Sequence, residues 1–278
     1  MTGAAVPVAF AGEPGAFAED AALAVFGDVE RIGLGGFRQV FDAVAAGAAR
    51  AGVVPIENLV NGTVREIYDL LLEHELAIVG EVIVPVRLCL AAIPGQRLDD
   101  IERVYSHIQA LGQAETFLRQ RPWTLLSTYN TAGAGKLIVE RHEERAAAIL
   151  SPRAAALVEL EILAADVQDV PDNRTRFLVI ARDPLGAVTD GRPRRTTLAF
   201  GVRNEPGSLL RALSVFAERD VNLSRLESRP SRAGAWEYIF WTDADGGADE
   251  PNVAAALDEL RAVTTLVRVF GSYPRAAD

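Results

Sequence analysis

Val53-Val54-Pro55-Ile56-Glu57-Asn58 passes from an apolar, β-branched run straight into a carboxylate and an amide. Arg50 to Ile56 is apolar and β-branched enough to predict a buried strand, and Thr63 to Leu72 carries a helical period that ends near Leu70, Leu71 and Leu72. Between them lie Glu57, Asn58, Asn61 and Gly62, a polar turn. A strand that gives onto a polar turn and then a helix is a βα unit. A carboxylate at the mouth of a buried strand is costly unless it is paired or put to use. Glu57 is therefore the first candidate functional residue.

The same unit recurs on both sides. Val6 to Phe10 predicts a strand, Gly12-Glu13-Pro14-Gly15 a turn and Ala16 to Phe26 a helix; a second helix, Arg38 to Ala49, follows Gly35-Gly36-Phe37. Ala77 to Pro85 and Arg87 to Ile93 are apolar runs of strand character. Arg103 to Tyr105, Leu125-Leu126 and Ala146 to Leu150 predict strands that alternate with helices over Ile108 to Arg119, Ala132 to Glu140 and Arg153 to Leu160. Arg176 to Ile180 closes the region as a strand. Strands alternating with helices imply an α/β fold with substantially parallel sheet. Asp183 to Pro193 is rich in Pro, Gly and charge and predicts a linker. Beyond it come a strand (Thr196 to Arg203), a helix (Ser208 to Glu218), two strands (Leu223 to Ser228, Trp236 to Thr242), a helix (Val253 to Ala262) and a strand (Leu266 to Phe270). That βαββαβ order is the ferredoxin-like arrangement.

Composition narrows the function classes. The chain has 278 residues, 49% hydrophobic and 24% charged, an ordinary globular profile long enough for two domains. Its formal charge is −10 and its one basic cluster is Arg192-Pro193-Arg194-Arg195, which argues against nucleic-acid and anionic-membrane partners. A single cysteine, Cys89, excludes an intrachain disulfide, and His74, His107 and His142 lack metal-ligand spacing. Met1 to Phe10 has no charged n-region or long apolar h-region, and no apolar run reaches the ~20 residues of a membrane span. The expectation is a cytoplasmic protein without metal.

Polar loops recur between strand ends and helix starts: Gly12 to Gly15, Glu57 to Thr63, Ser106-His107, Ser127-Thr128 to Asn130-Thr131, and Ser151-Pro152. Helix starts carry free backbone N–H groups that bind anions, and strand carboxyl ends are where open α/β sheets place ligands. Ser, Thr, Asn and Asp are equally favoured there as plain caps. Their number in one domain points to a polar cleft.

Taken in order, these segments resemble the prephenate dehydratase family with an appended ACT regulatory domain, over Val6 to Pro274. Val54 to Asn58, followed by Gly62 and Thr63, resembles its P-I-E-N-S motif. Tyr105-Ser106-His107-Ile108-Gln109-Ala110-Leu111 resembles Y-S-H-P-Q-A-L, and Thr131-Ala132-Gly133 and Gln168-Asp169 fit neighbouring segments. Asn173-Arg174-Thr175-Arg176-Phe177 resembles N-x-T-R-F, the most diagnostic stretch. Asn204 to Leu209 resembles N-x-P-G-A-L, and Glu227-Ser228-Arg229-Pro230 matches E-S-R-P.

The resemblance implies an α/β catalytic domain of two lobes, similar to periplasmic binding proteins, at 1–184. Lobe one would lie at about 1–84 and 162–184 and lobe two at about 85–161. A linker at 185–193 and the ferredoxin-like ACT domain at 194–278 would follow. It implies conversion of prephenate to phenylpyruvate without a cofactor, feedback control by L-phenylalanine, and a homodimer or homotetramer. Carried over residue by residue, Thr175, Glu57 and His107 are the expected catalytic residues. Asn58, Thr63, Ser106, Ser127, Thr128, Asn173, Arg176 and Phe177 are the expected substrate-binding set. Asn204, Pro206, Gly207, Ser208, Leu209, Glu227, Ser228, Arg229 and Pro230 are expected at the effector site. Thr175 would donate a hydrogen bond or proton to the departing hydroxyl, a contribution of ~10²–10⁴-fold for general acid catalysis. The chain departs from the family at Leu59, where Ser is usual, at Ile108, where Pro is usual, and at Ala18, where Ser is common. Arogenate therefore stands as the alternative substrate, alone or alongside prephenate. A non-catalytic amino-acid sensor is the alternative of another class, and an exported solute-binding protein a third.

Overall fold

Strands and helices alternate from Val8 onward in the computed structural model, which describes residues 6–183, 191–230 and 238–277. The first sheet draws on β1 (Val8–Ala11), β2 (Arg31–Leu34), β3 (Ala51–Asn58), β4 (Gly62–Thr63), β5 (Ala77–Pro85) and, from much later in the chain, Arg174–Ala181. Helices α1 (Phe17–Phe26), α2 (Phe37–Ala45) and α3 (Arg65–Glu73) connect its early strands. The second region runs β6 (Cys89–Ala92), β7 (Arg103–Ser106), α4 (Ile108–Gln113), α5 (Glu115–Leu118), β8 (Thr124–Ser127), α6 (Thr131–Glu140), β9 (Ala146–Leu150), α7 (Pro152–Leu157) and β10 (Glu161–Ala164). The chain then returns to the first sheet as β11 (Arg174–Ala181). Sheet one is ordered β2-β1-β3-β11-β5 with β4 on β3, and sheet two β10-β6-β9-β7-β8.

Burial explains why these segments are strands. All four residues of β6 are buried, because both faces of its sheet are covered. Leu90 and Ala92 join one core with Val104, Leu111 and Ile149, while Cys89 and Ala91 join another with Ala134, Leu150 and Ala154. In sheet one, Val8, Phe10 and Val53 pack with Ala18, Ala21 and Ala22 of α1.

The expected elements are present with shifted limits. The helix expected over 38–49 ends at Ala45, and the chain turns at Gly47 with φ +77°. The one expected over 108–119 is two short helices, broken at Ala114 (φ −116°, ψ 24°). Thr63 belongs to β4, paired with Glu57, and not to a helix. The sheets are mixed: β1 pairs in parallel with β2 and β3, and β7 with β8 and β9, but β6 is antiparallel to β9 and β10. Because β10 pairs with β6, the second sheet extends to Ala164, past the expected lobe boundary at 162.

The last region runs β12 (Arg194–Gly201), α8 (Ser208–Ala217), β13 (Leu223–Pro230), β14 (Tyr238–Asp245), α9 (Pro251–Val263) and β15 (Leu266–Pro274). Its sheet order, β13-β14-β12-β15, is the ferredoxin-like one, and Leu198 and Phe200 pack beneath Ala212, Val215, Phe216, Leu257 and Leu260. Most of the expected linker, and the Trp236 start expected for the third strand, lie outside the described residues.

Two compact bodies result. One holds the chain up to His74 and from Val82 to Leu178; the other holds Glu75–Glu81 and the chain from Val179 onward.

Candidate active site

Asn58, at the end of β3, meets the start of β11. Its Nδ2 donates to Asn173 Oδ1 (2.9 Å), Thr175 Oγ1 (2.9 Å) and the Arg174 carbonyl (3.1 Å). Its Oδ1 accepts from the backbone N–H groups of Val60 and Asn61, which forms the turn after the strand. The backbone completes the joint, since Leu59 N–H donates to the Arg174 carbonyl and Val86 N–H to the Asn173 carbonyl. All three side chains are buried, Asn173 at 1% exposure and Thr175 at 8%. Two consequences follow. The amide N–H of Asn58 fills one lone pair of Thr175 Oγ1, so the hydroxyl proton is directed away from Asn58. Asn173 turns its oxygen to Asn58, which leaves its buried Nδ2 without a hydrogen-bond partner among the described residues. A buried donor left open costs free energy unless something accepts from it.

Alternation along the strands places Glu57 and Arg176 on the sheet face opposite Asn58 and Thr175. Arg176 Nη2 lies 3.8 Å from Glu57 Oε2; the guanidinium side chain is 12% exposed and the carboxylate side chain 45%. Thr63 pairs with Glu57 across β4.

Sheet two contributes loops, and there the expected residues separate. Ser106 is fully buried and donates to the Ile149 carbonyl at 2.6 Å, so it ties β7 to β9. Phe177 is 3% exposed and sits in the core of sheet one with Val8, Phe10 and Val84. Neither presents its side chain to a cleft: a strand end becomes core within two residues. His107 caps α4, its Nδ1 accepting from Gln109 N–H at 3.3 Å. Ser127 is exposed at the end of β8, and Thr128 donates to the Asn130 carbonyl at 2.9 Å.

A constellation that the sequence did not reveal joins the first loop to sheet two. Glu19, 7% exposed on α1, accepts from Gly15 N–H (2.7 Å), Arg153 Nη1 (2.7 Å) and Arg31 Nε (3.4 Å). Arg153 also reaches Asp20 at 3.0 Å, and Ser151 Oγ donates to the Gly15 carbonyl at 2.9 Å. Glu13 meets Tyr129 Oη at 3.3 Å and Lys136 Nζ at 3.6 Å. Gly15 has φ +89°, and a Cβ there would lie 2.6 Å from the Ala154 Cα, so only glycine fits. Burial pushes the Glu19 carboxyl up, but Arg153, the Gly15 N–H and Arg31 together hold it below its usual value. At Asp20 burial prevails over Arg153 and the carboxyl sits above its usual value. The local signal was two acids in the first turn of a helix, which reads as ordinary dipole complementation; the arginine is more than a hundred residues away.

In the C-terminal body, Asn204, Pro206 and Gly207 lie on the exposed loop between β12 and α8. Gly207 has φ +81°, and Ser208 and Leu209 open the helix. Ser208 is buried and accepts from Arg211 Nη2 at 3.0 Å. Glu227, Ser228, Arg229 and Pro230 lie on β13, an edge strand whose burial alternates, with Glu227 and Arg229 on the half-buried face and Ser228 and Pro230 exposed.

Among the described residues no helix is long and apolar enough to cross a membrane. Comparison with known families matches residues 8–185 to Prephenate dehydratase and 196–262 to the ACT domain. The Arabidopsis thaliana protein named arogenate dehydratase/prephenate dehydratase 1, chloroplastic, is 38% identical over 283 residues, covering 97% of this chain and 72% of that one. Among solved structures, prephenate dehydratase from Arthrobacter aurescens in complex with L-Phe has a TM-score of 0.88 at 36% identity, covering 97% of this chain and 90% of that chain. The quorum-quenching acylase GqqA also has a TM-score of 0.88, at 34% identity, covering 96% and 97%.

Proposed function

Since the chain belongs to the prephenate dehydratase family and carries a C-terminal ACT domain, we propose that it converts prephenate to phenylpyruvate, water and carbon dioxide under control of L-phenylalanine. The observation that carries this reading is the Asn58–Thr175–Asn173 network.

Prephenate is a dianion with a ring hydroxyl. In the reaction the bond from the ring to its carboxylate breaks, the electron pair moves into the ring, and the hydroxyl leaves with one proton as water. Aromatisation drives the step, so no cofactor has to supply free energy. Thr175 is the group that addresses the departing oxygen. Its Oγ1 already accepts from Asn58, so its own proton is free to be donated. A threonine hydroxyl is a weak acid, and its contribution is an oriented hydrogen bond to the leaving oxygen that strengthens as charge develops there. The open Nδ2 donor of Asn173 supplies a second contact on the same side. Arg176 and Glu57 pair at 3.8 Å on the opposite face of the sheet, so they brace the strand ends that carry Asn58 and Thr175 and do not share the face of the Thr175 hydroxyl. In this reading Asn58 positions Thr175 and does not itself bind substrate, and His107 shapes a helix start.

Control by L-phenylalanine rests on the likeness to the Arthrobacter protein, determined with L-Phe, and on the helix-start loop at 204–209. Strand β13, which carries Glu227 to Pro230, stands at the end of its sheet's strand order, a position from which a second copy could extend the sheet in a homodimer or homotetramer.

The likeness to GqqA favours one second reading, hydrolysis of an acyl amide at the same site. A nucleophilic hydroxyl needs a base within hydrogen-bond reach. Thr175 Oγ1 meets an amide donor instead, which suits hydrogen-bond donation to a leaving group. The test is a side-by-side assay of the purified full chain on prephenate, arogenate and an N-acylated amide, with and without L-phenylalanine. Prephenate should be consumed fastest, giving phenylpyruvate, and its turnover should be slowed by L-phenylalanine; arogenate, which keeps its amino group, would give phenylalanine instead. Turnover of arogenate alone would reassign the substrate, and turnover of none would leave a sensor.

A further inference from the structure

The C-terminal body contains a buried ion pair that neither the chemistry nor the effector loop uses. Arg195 Nη1, on β12, donates to both carboxylate oxygens of Glu81, on β5, at 2.9 and 2.8 Å. The Arg195 side chain is 9% exposed and that of Glu81 is 2% exposed. Ala276 N–H also donates to Glu81 Oε1 at 3.0 Å. Three residues before Glu81, the Ile78 carbonyl lies so close to Gly271 of β15 that any Cβ there would collide with it. The first half of β5 is thus fastened to β12, β15 and the C-terminal tail, which is why Glu75–Glu81 belongs to that body.

A buried ion pair is weak evidence for stability, because well-packed apolar residues of similar volume often do as well. What such a pair provides is a fixed register between the elements it joins. Here the elements are informative. Strand β12 has Arg195 near one end, and its other end leads into the loop 204–209. Strand β5 leaves the body after Glu81 and neighbours β11, which begins with Arg174 and Thr175.

We propose that the Glu81–Arg195 pair is the joint through which occupancy of the 204–209 loop acts on β5, and through β11 on Thr175. The proposal rests on the reading of L-phenylalanine as effector. Bound effector shifts β12, the ion pair carries the shift to β5, and the β5–β11 pairing changes the placement of Thr175 against Asn58.

The test uses the full chain and two measurements. First, prephenate turnover and calorimetric L-phenylalanine binding are compared in wild type and in the double variant E81L/R195M. The expected result is unchanged basal turnover and unchanged L-phenylalanine affinity, with inhibition weakened about 5–150-fold, the usual span of coupling between two sites. Full inhibition in the variant, equal to wild type, overturns the proposal while leaving the effector reading intact. A wild type that binds no L-phenylalanine overturns the effector reading, and the proposal with it. Second, hydrogen exchange of wild type alone is followed with and without L-phenylalanine, which needs no folded variant. Exchange at 76–82 and 174–181 should change on binding; change confined to the 204–230 region overturns the joint.

Discussion

Asn58 has two amide protons and three acceptors within reach, and the third acceptor is the hydroxyl oxygen at the centre of the proposed chemistry. Its value lies in direction: a donor at this position fixes where the Thr175 proton points. Asn58→Ala should lower kcat/KM for prephenate by roughly 10²-fold, the scale of a misplaced reacting group. Asn58→Asp should be no better, since a carboxylate cannot donate to the Asn173 and Arg174 oxygens and would draw the Thr175 proton toward itself. Steady-state kinetics on variants matched by circular dichroism check this, and wild-type activity in Asn58→Asp would refute the positioning role. Thr175, Asn173 and Asn58 lie in ordered motifs that the sequence displays, but their meeting in one hydrogen-bonded cluster depends on strands more than a hundred residues apart. Ser106 and Phe177 lie in the same motifs with their side chains buried, which a motif cannot show because it does not say which face of a strand meets the core.

At the scale of elements, the first loop and α1 are held to α7 by Glu19, Gly15, Ser151 and Arg153. Glu19 titrates below its usual value of 4.5, so its stabilising effect is complete above that pH and is lost as pH falls through the lowered value. Asp20 has the opposite sign: its raised value means that its ionised form costs stability at neutral pH, a cost relieved on protonation. Glu19→Gln, which weakens the part-buried contact with Arg153, should destabilise the chain by about 1 kcal/mol at pH 7. The gap to wild type should narrow as pH falls through the lowered value and wild-type Glu19 itself becomes protonated. Urea unfolding between pH 3 and 7 measures this, and a gap independent of pH would remove Glu19 from the acid response. This Glu19–Arg153 constellation was not legible because its partners are distant in sequence. Short elements were missed for a different reason: β2 and β10 span four residues and β4 two, too few to establish a period.

At the scale of the molecule, periodicity revealed the α/β class and the βαββαβ order, since long apolar runs and helix faces are local properties. The division of β5 at Glu81 was not local. It depends on Arg195 and Gly271, and no feature of Ala77 to Pro85 announces it. The catalytic assignment rests in the end on one hydroxyl within this architecture. The most direct measurement is phenylpyruvate formation from prephenate by purified Thr175→Ala and Thr175→Ser beside wild type, with substrate binding measured separately. Loss of the donor in Thr175→Ala should cut kcat by about 10²–10⁴-fold, with prephenate still bound and much of the rate retained in Thr175→Ser. Wild-type turnover in Thr175→Ala would contradict the assignment.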